Sequence, residues 1–321
     1  MSSLNSADRT PIEPQNVEAP LSRSAVFLAV DIAATDGAYE RVRDVISDIG
    51  GLVRAAGFRD LAARLSCIVG IGSDAWDRFG APHRPRQLHP FQPVVGDTHT
   101  AVATQTDLFF HIRAESVDFC FELERLILAK LGADVVVRDE TSGFRYFESR
   151  DLLGFVDGTE NPTGAAVPDV TLIGDEDEEF RGGSYLMTQK YLHRLDAWQA
   201  LTTEQQESIM GRSKADNVEL DESTVPLSHK DLATITDTDG TEHDILRDNM
   251  PFGRPGHAEF GTYFVGYAAD LSVMERMLVR MFVGFPPGQH DRLLDFSTPQ
   301  TGAVYFVPSR DMLESLGGSQ P

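Results

Sequence analysis

The chain has 321 residues, 41% hydrophobic and 24% charged, the balance of a folded globular protein with room for about two domains. Lys and Arg number 28 against 50 Asp and Glu, a formal charge of −22, which repels phosphate backbones and anionic bilayers and excludes nucleic acid as a partner. No apolar run reaches the ~18–20 residues of a membrane span. Cys67 and Cys120 sit in apolar stretches without metal-finger spacing, and the first 20 residues lack an apolar export core, so a reducing cytoplasm is the expected location.

In chain order, residues 1–22 are polar and proline-bearing and are expected as a flexible arm. Ser24–Asp31 is short, apolar and rich in β-formers, a buried strand. Ala38–Ala56 carries Val42, Val45, Ile46, Ile49 and Val53 on a helical stripe that Gly57 stops. Arg64–Gly72 and Thr104–Arg113 read as strands, Ser116–Leu131 as a helix and Ala133–Arg138 as a fourth strand. This is the βαββαβ order of a ferredoxin-like unit.

The second half partly repeats the scheme: strand Gly183–Leu192, helix Leu195–Met210, strand Gly261–Ala268, helix Ser272–Phe282 and strand Ala303–Val307. The aromatic strand that turns into an amphipathic helix over 107–126 has the same layout as 262–278, which suggests internal duplication. The expected fold class is therefore α+β, two ferredoxin-like domains with antiparallel sheets over 23–150 and 151–312, followed by a short tail over 313–321. Long irregular tracts over 78–98 and 138–181 fall where function often resides. The acidic run 175–179 reads as a solvated loop.

Two segments could carry chemistry. In Gly154-Phe155-Val156-Asp157-Gly158-Thr159-Glu160-Asn161-Pro162 an apolar pair leads into Asp-Gly. Asp157 is either a turn residue or an acid–base group set beside apolar surface. In Ile245-Leu246-Arg247-Asp248-Asn249-Met250-Pro251-Phe252, Arg247 and Asn249 stand at i and i+2 of an extended chain and face one side. A guanidinium in such apolar company needs an anionic partner, either a ligand or a structural Asp. The nine histidines show no HExxH spacing, and composition does not choose among them.

The loop 154–162 resembles the GxxDG signature of the dye-decolourising peroxidases in its B-type form. Ser228-His229, the 245–252 segment and Asp295-Phe296-Ser297-Thr298-Pro299-Gln300-Thr301-Gly302 follow in that family's order, so the resemblance spans the chain from about Ser24 onward. It implies a haem b peroxidase, one haem per subunit, with the pocket mainly in the C-terminal domain. His229 would be the proximal ligand of the haem iron, with Asp291 (Asp295 in reserve) taking its other ring proton. Asp157, Arg247 and Asn249 would face the other side of the haem, where hydrogen peroxide is reduced by way of a ferryl intermediate. Arg212 would meet a propionate, and Asn161 with the peptides of Gly158 and Thr159 would lie along the haem edge.

The implied donors are dyes, phenolics or Mn²⁺, with bulky dyes oxidised through Trp76, Trp198, Tyr146 or Tyr263 and an acidic optimum set by an aspartate base. The family also implies a homo-oligomer, dimer or hexamer. A chain ending Leu316-Gly317-Gly318-Ser319-Gln320-Pro321 holds at most a fragment of the extension that docks some relatives in an encapsulin shell, which puts encapsulation in doubt. The competing readings are a haem-handling protein without turnover, a related fold using chlorite, and a ferredoxin-like module without haem.

Overall fold

Strands covered on both faces are apolar at nearly every position rather than alternating, and Leu108–Ala114 and Ser66–Ile71 are buried along their whole length. They lie side by side in the N-terminal half of the fold, next to the seam with the second half. A computed structural model describes residues 12–221 and 226–317. Residues 1–11 of the expected arm, residues 222–225 and residues 318–321 of the expected tail lie outside the described residues.

Ten strands join in one antiparallel sheet: β1 (Ser24–Ile32), β2 (Ser66–Ile71), β3 (Leu108–Ala114), β4 (Val135–Phe144), β5 (Ser184–His193), β6 (Leu246–Arg247), β7 (Met250–Arg254), β8 (Glu259–Ala268), β9 (Ser297–Pro299) and β10 (Ala303–Val307). The main path runs β6-β8-β5-β10-β2-β3-β1-β4, with β7 added to β8 and β9 to β5. Within the first half the order is β4-β1-β3-β2; in the second, β10-β5-β8-β6. Each half thus places its fourth path strand beside its first, then its third, then its second. The shared order agrees with the duplication expected from the second half's partial repeat of the first half's βαββαβ pattern. The halves meet where Phe306 of β10 pairs with Ile71 of β2.

That seam corrects the flexible arm. Gln15 is buried, its Nε2 donating to the carbonyls of Val69 and Pro308 at 3.0 Å each while its Oε1 accepts the Val69 N–H at 2.8 Å. Val17 beside it is in the core. The tail is corrected too, since Arg310–Leu316 is a helix that buries Leu313.

Two expected helices are each two. The 38–56 stripe breaks into Ala38–Ser47 and Ile49–Gly57 at Asp48, whose carboxylate lies where a Cβ on Gly51 would stand, 2.3 Å away. The 195–210 helix breaks into Leu195–Gln199 and Thr203–Met210, because Thr202 and Gln205 close a capping box and restart the turn. β4 runs to Phe144, beyond the expected Arg138, as a mostly exposed, polar strand paired to β1. No helix among the described residues is long and apolar enough to cross a membrane.

Candidate active site

Alternation along β5 sends Met187, Gln189, Tyr191 and His193 to one face of the second half-sheet, and Thr262 and Phe264 of β8 join them. The amphipathic helix Leu271–Phe282, capped by the Asp270 side chain, sets Met274, Met277, Leu278 and Met281 over that face. Between them lies a cavity of about 870 Å³, within the ~300–1,000 Å³ of small-molecule and cofactor sites. Its walls mix apolar and polar side chains in nearly equal measure, and Glu160, Arg212, Glu219, Lys230 and Glu242 are among the charged residues that line it.

His229 opens the short helix His229–Ala233, whose start is fixed by a capping box between Ser228 and Asp231. Its Nδ1 lies 2.6 Å from Oδ2 of Asp291, which is fully buried, while about a quarter of the His229 side chain stays open. The ring lines the cavity, and Nε2 is the nitrogen left for it. Burial alone disfavours protonation of His229, but the charge and hydrogen bond of Asp291 outweigh it and raise the imidazole above its ordinary value. His193 offers no rival ligand, because Ser297 and Thr262 hydroxyls hold its two ring nitrogens at 2.8 and 2.9 Å. Burial pushes its imidazole down to about 4, so it is neutral near pH 7.

The loop 154–162 reaches the same cavity. Gly154 (φ +98°) and Gly158 (φ +75°) take left-handed turns on either side of Asp157, a conformation side chains resist. A Cβ on Gly154 would also stand 2.4 Å from Lys214 Cε. Below the loop, Leu153 and Phe155 pack with Trp198 and Ile209, and the Trp198 indole donates to the Leu153 carbonyl at 2.9 Å. Arg150, which sequence reasoning passed over, donates to the carbonyls of Gly154 and Lys214 at 2.8 and 2.7 Å. Asp157 Oδ1 accepts from the Gly158 N–H at 2.7 Å and from Asn249 Nδ2 at 3.3 Å.

Arg247 and Asn249 both line the cavity, while Asp248 between them turns inward and meets Arg113 at 2.5 Å. A structural Arg–Asp pair exists here, then, but it is Arg113 with Asp248. Arg247 Nε is buried without a hydrogen-bond partner. Asn249 is fixed by accepting the Val265 N–H at 3.1 Å.

Asp157, Gly158, Thr159, Arg212, His229, Arg247 and Asn249 therefore share one cavity. Two expected residues stand behind it. Asp291 is shielded by His229, and Asn161, expected along the haem edge, instead binds the main chain of Arg247. Arg212 is at the mouth, engaged by Glu160 and by the Asn217 side chain and carbonyl, each of the latter at 3.0 Å. Of the expected electron-transfer residues, Trp76, Trp198 and Tyr263 are buried and are not surface oxidation sites. Tyr146 is part-exposed and borders a small pocket shared with Asp157, Arg247 and Asn249.

Two family models match the chain over most of its length. The model "Dyp-type peroxidase, N-terminal" matches residues 14–145, and "Dyp-type peroxidase, C-terminal" matches 148–312. The chain belongs to the Dyp-type peroxidases. Among relatives, a dye-decolorizing peroxidase of Mycolicibacterium paratuberculosis is 52% identical over 305 residues, covering 95% of this chain and 86% of that protein. A variant of the Dyp-type enzyme DypB of Rhodococcus jostii RHA1, solved in complex with heme, matches with a TM-score of 0.92 and 56% identity over 95% of this chain and 98% of that one. The encapsulated DyP-type peroxidase of Mycobacterium smegmatis matches with a TM-score of 0.92 and 52% identity, covering 95% and 98% of the two chains.

Proposed function

We propose that the chain reduces hydrogen peroxide and oxidises one-electron donors at a haem b held by His229, with Asp157, Arg247 and Asn249 acting on the peroxide. The chain is a haem-dependent peroxidase. The observation that carries the site assignment is the pairing, in one cavity, of a carboxylate-braced histidine with an arginine whose Nε is buried without a hydrogen-bond partner. The residues present fit a haem: apolar side chains such as Met187, Phe264, Met274 and Leu278, the His229 imidazole with Nε2 uncommitted, and Arg212 and Lys230 at the mouth, each now paired with a glutamate, as cationic partners for propionates.

Haem, when bound, supplies the iron that accepts the oxidising equivalents of peroxide and passes them to donors. Asp291 keeps the His229 proton on Nδ1 and makes Nε2 the more electron-rich ligand atom. Asp157 has Oδ1 committed to Gly158 and Asn249, so Oδ2 is the oxygen that takes a proton from one end of HOOH and returns it to the other, which leaves as water. Arg247 stabilises the negative charge that develops as the O–O bond breaks. Asn249 orders the peroxide and holds Asp157 in register. Phe264, Met274 and Leu278 exclude bulk water from the seat.

Dyes and phenolics too large for the cavity give up electrons through Tyr146, and Mn²⁺ is drawn to the acidic mouth. Self-association as a dimer or hexamer belongs to the same proposal.

The test mixes haem-loaded protein with one equivalent of peroxide and follows the Soret band. Wild type should respond rapidly, Asp157→Ala and Arg247→Ala more slowly with haem retained, and His229→Ala should lose haem. A wild-type Soret band unmoved by peroxide would favour haem handling, and undiminished haem affinity in His229→Ala would overturn the ligand assignment.

A further inference from the structure

Away from the cavity, three ligand-type side chains converge from segments nearly two hundred residues apart. His99 Nε2 lies 2.9 Å from Asp295 Oδ1, and His290 Nε2 lies 3.0 Å from the same oxygen. The two imidazoles meet edge to face with centroids 4.8 Å apart. The donor atoms of all three residues fall within 4.8 Å of one another, and none of the three lines the cavity. We propose that His99, His290 and Asp295 bind one divalent transition-metal ion of the zinc class, at a site separate from the haem.

The spacing suits such an ion. Zinc takes imidazole nitrogen and carboxylate oxygen at about 2.0–2.2 Å, so neighbouring ligand atoms around it stand about 3.0–3.5 Å apart. The observed nitrogen–oxygen separations are close to that before any side chain moves. Without an ion, both Nε2 atoms point their protons at one carboxylate oxygen. An ion replaces that contact, each imidazole shifting its proton to Nδ1 and leaving Nε2 as the donor. Two imidazoles and one carboxylate favour Zn²⁺, Fe²⁺, Ni²⁺ or Cu²⁺ over Mg²⁺ and Ca²⁺, which prefer all-oxygen shells. The side chains keep 20%, 24% and 43% of their surface open, so water can complete the shell and the ion can enter from solvent.

The framework around the triad is fixed independently. His99 ends the turn of a two-stranded hairpin, Val94–Val95 with Thr100–Ala101, and its carbonyl accepts the Gly96 N–H at 2.9 Å. Gly96 is pressed on the end of helix Leu271–Phe282, where a Cβ would stand 1.9 Å from the Phe282 carbonyl oxygen. His290 and Asp295 bracket a turn closed by Leu294 N–H to the Asp291 carbonyl at 3.0 Å and Leu293 N–H to Asp291 Oδ1 at 2.9 Å. The same turn carries Asp291, the partner of His229. An ion in the triad therefore fastens the hairpin to the segment that braces the cavity histidine.

The experiment is calorimetric titration of chelator-treated, haem-loaded protein with Zn²⁺ near neutral pH, in the presence of excess Mg²⁺. Wild type should take up one saturable equivalent, and His99→Ala and Asp295→Asn should each weaken it at least tenfold while the Soret spectrum reports an intact fold. X-ray absorption of the zinc-loaded protein should show imidazole scattering that falls in His99→Ala. No saturable equivalent in wild type overturns the proposal. So does uptake equal in wild type and His99→Ala, or uptake abolished instead by Glu160→Gln with Glu219→Gln at the cavity mouth.

Discussion

Asn161 grips Arg247 by both main-chain polar groups: its Nδ2 donates to the Arg247 carbonyl at 2.7 Å and its Oδ1 accepts the Arg247 N–H at 3.0 Å. The GxxDG loop and strand β6 are thereby locked together, so the position of Asp157 relative to the guanidinium depends on a residue whose amide is spent on the Arg247 backbone. Asn161→Ala should slow the reaction with peroxide by about 10–100-fold while haem is retained, since misplacement of about 1 Å can cost that much. Asn161→Asp, which keeps the acceptor and loses the donor, should fall between. Stopped-flow absorbance at the Soret band makes the comparison, and an Asn161→Ala rate equal to wild type would remove the positioning role.

The carboxylate behind His229 makes a separate prediction. Partners that orient a ligating imidazole are worth about 10–100-fold in affinity. Asp291→Asn should therefore weaken haem binding by that order, measured by transfer of haem to a scavenger protein. The fold itself should survive, because Oδ1 of an Asn can still accept the Leu293 N–H that Asp291 accepts now.

Asp151 ties pH to stability. Burial pushes its carboxyl up to about 7, against the hydrogen bonds it accepts from the loop backbone, including Phe155 N–H at 2.9 Å. Because the folded state holds this proton more tightly than the unfolded state, the contribution is complete below about pH 4 and is lost as pH rises through about 7. His193 works in the opposite sense. Its imidazole lies at about 4, so its contribution is complete above about pH 6.5 and is lost as pH falls through about 4. Asp151→Asn should gain on wild type as pH rises from about 4 to about 7, by up to about 4 kcal/mol. Urea unfolding across that range reads it, and parallel curves for the two proteins would refute the assignment.

Tyr146 and Trp198 separate surface oxidation from packing. Tyr146→Phe should lower turnover of bulky dyes several-fold and leave the peroxide-driven Soret change as in wild type. Trp198→Ala should instead cost about 3–5 kcal/mol of stability, because the indole fills the cluster beneath the loop. Steady-state assays with a large and a small donor, set beside thermal unfolding, distinguish the two.

The strands were legible where apolar residues run unbroken: Ala303–Val307 falls where its pattern places it, and Ser24–Asp31 ends one residue later. β4 was cut short because its polar stretch from Arg138 to Ser142 carries no apolar signal; its place at the sheet edge rests on pairing with β1. The breaks at Asp48 and Thr202 were hidden because the apolar spacing continues across them. The i and i+2 placement of Arg247 and Asn249 foretold their common face. Composition did not single out His229 from nine histidines; its distinction is the contact with Asp291, 62 residues away. Arg150 and Asn161 act on backbone, and a sequence carries little mark of which carbonyl a side chain will reach.

The amide of Gln15 stands in for a missing length of ladder where β2 and β10 meet, serving Val69 on one side and Pro308 on the other. Cutting the polypeptide between its two repeats would strip that stitch from the C-terminal fragment and bare β10 as a raw margin of unpaired peptide groups, open to any passing strand. The inner edge of the second repeat is thus closed jointly by a strand of the first and by a side chain contributed before the first strand begins.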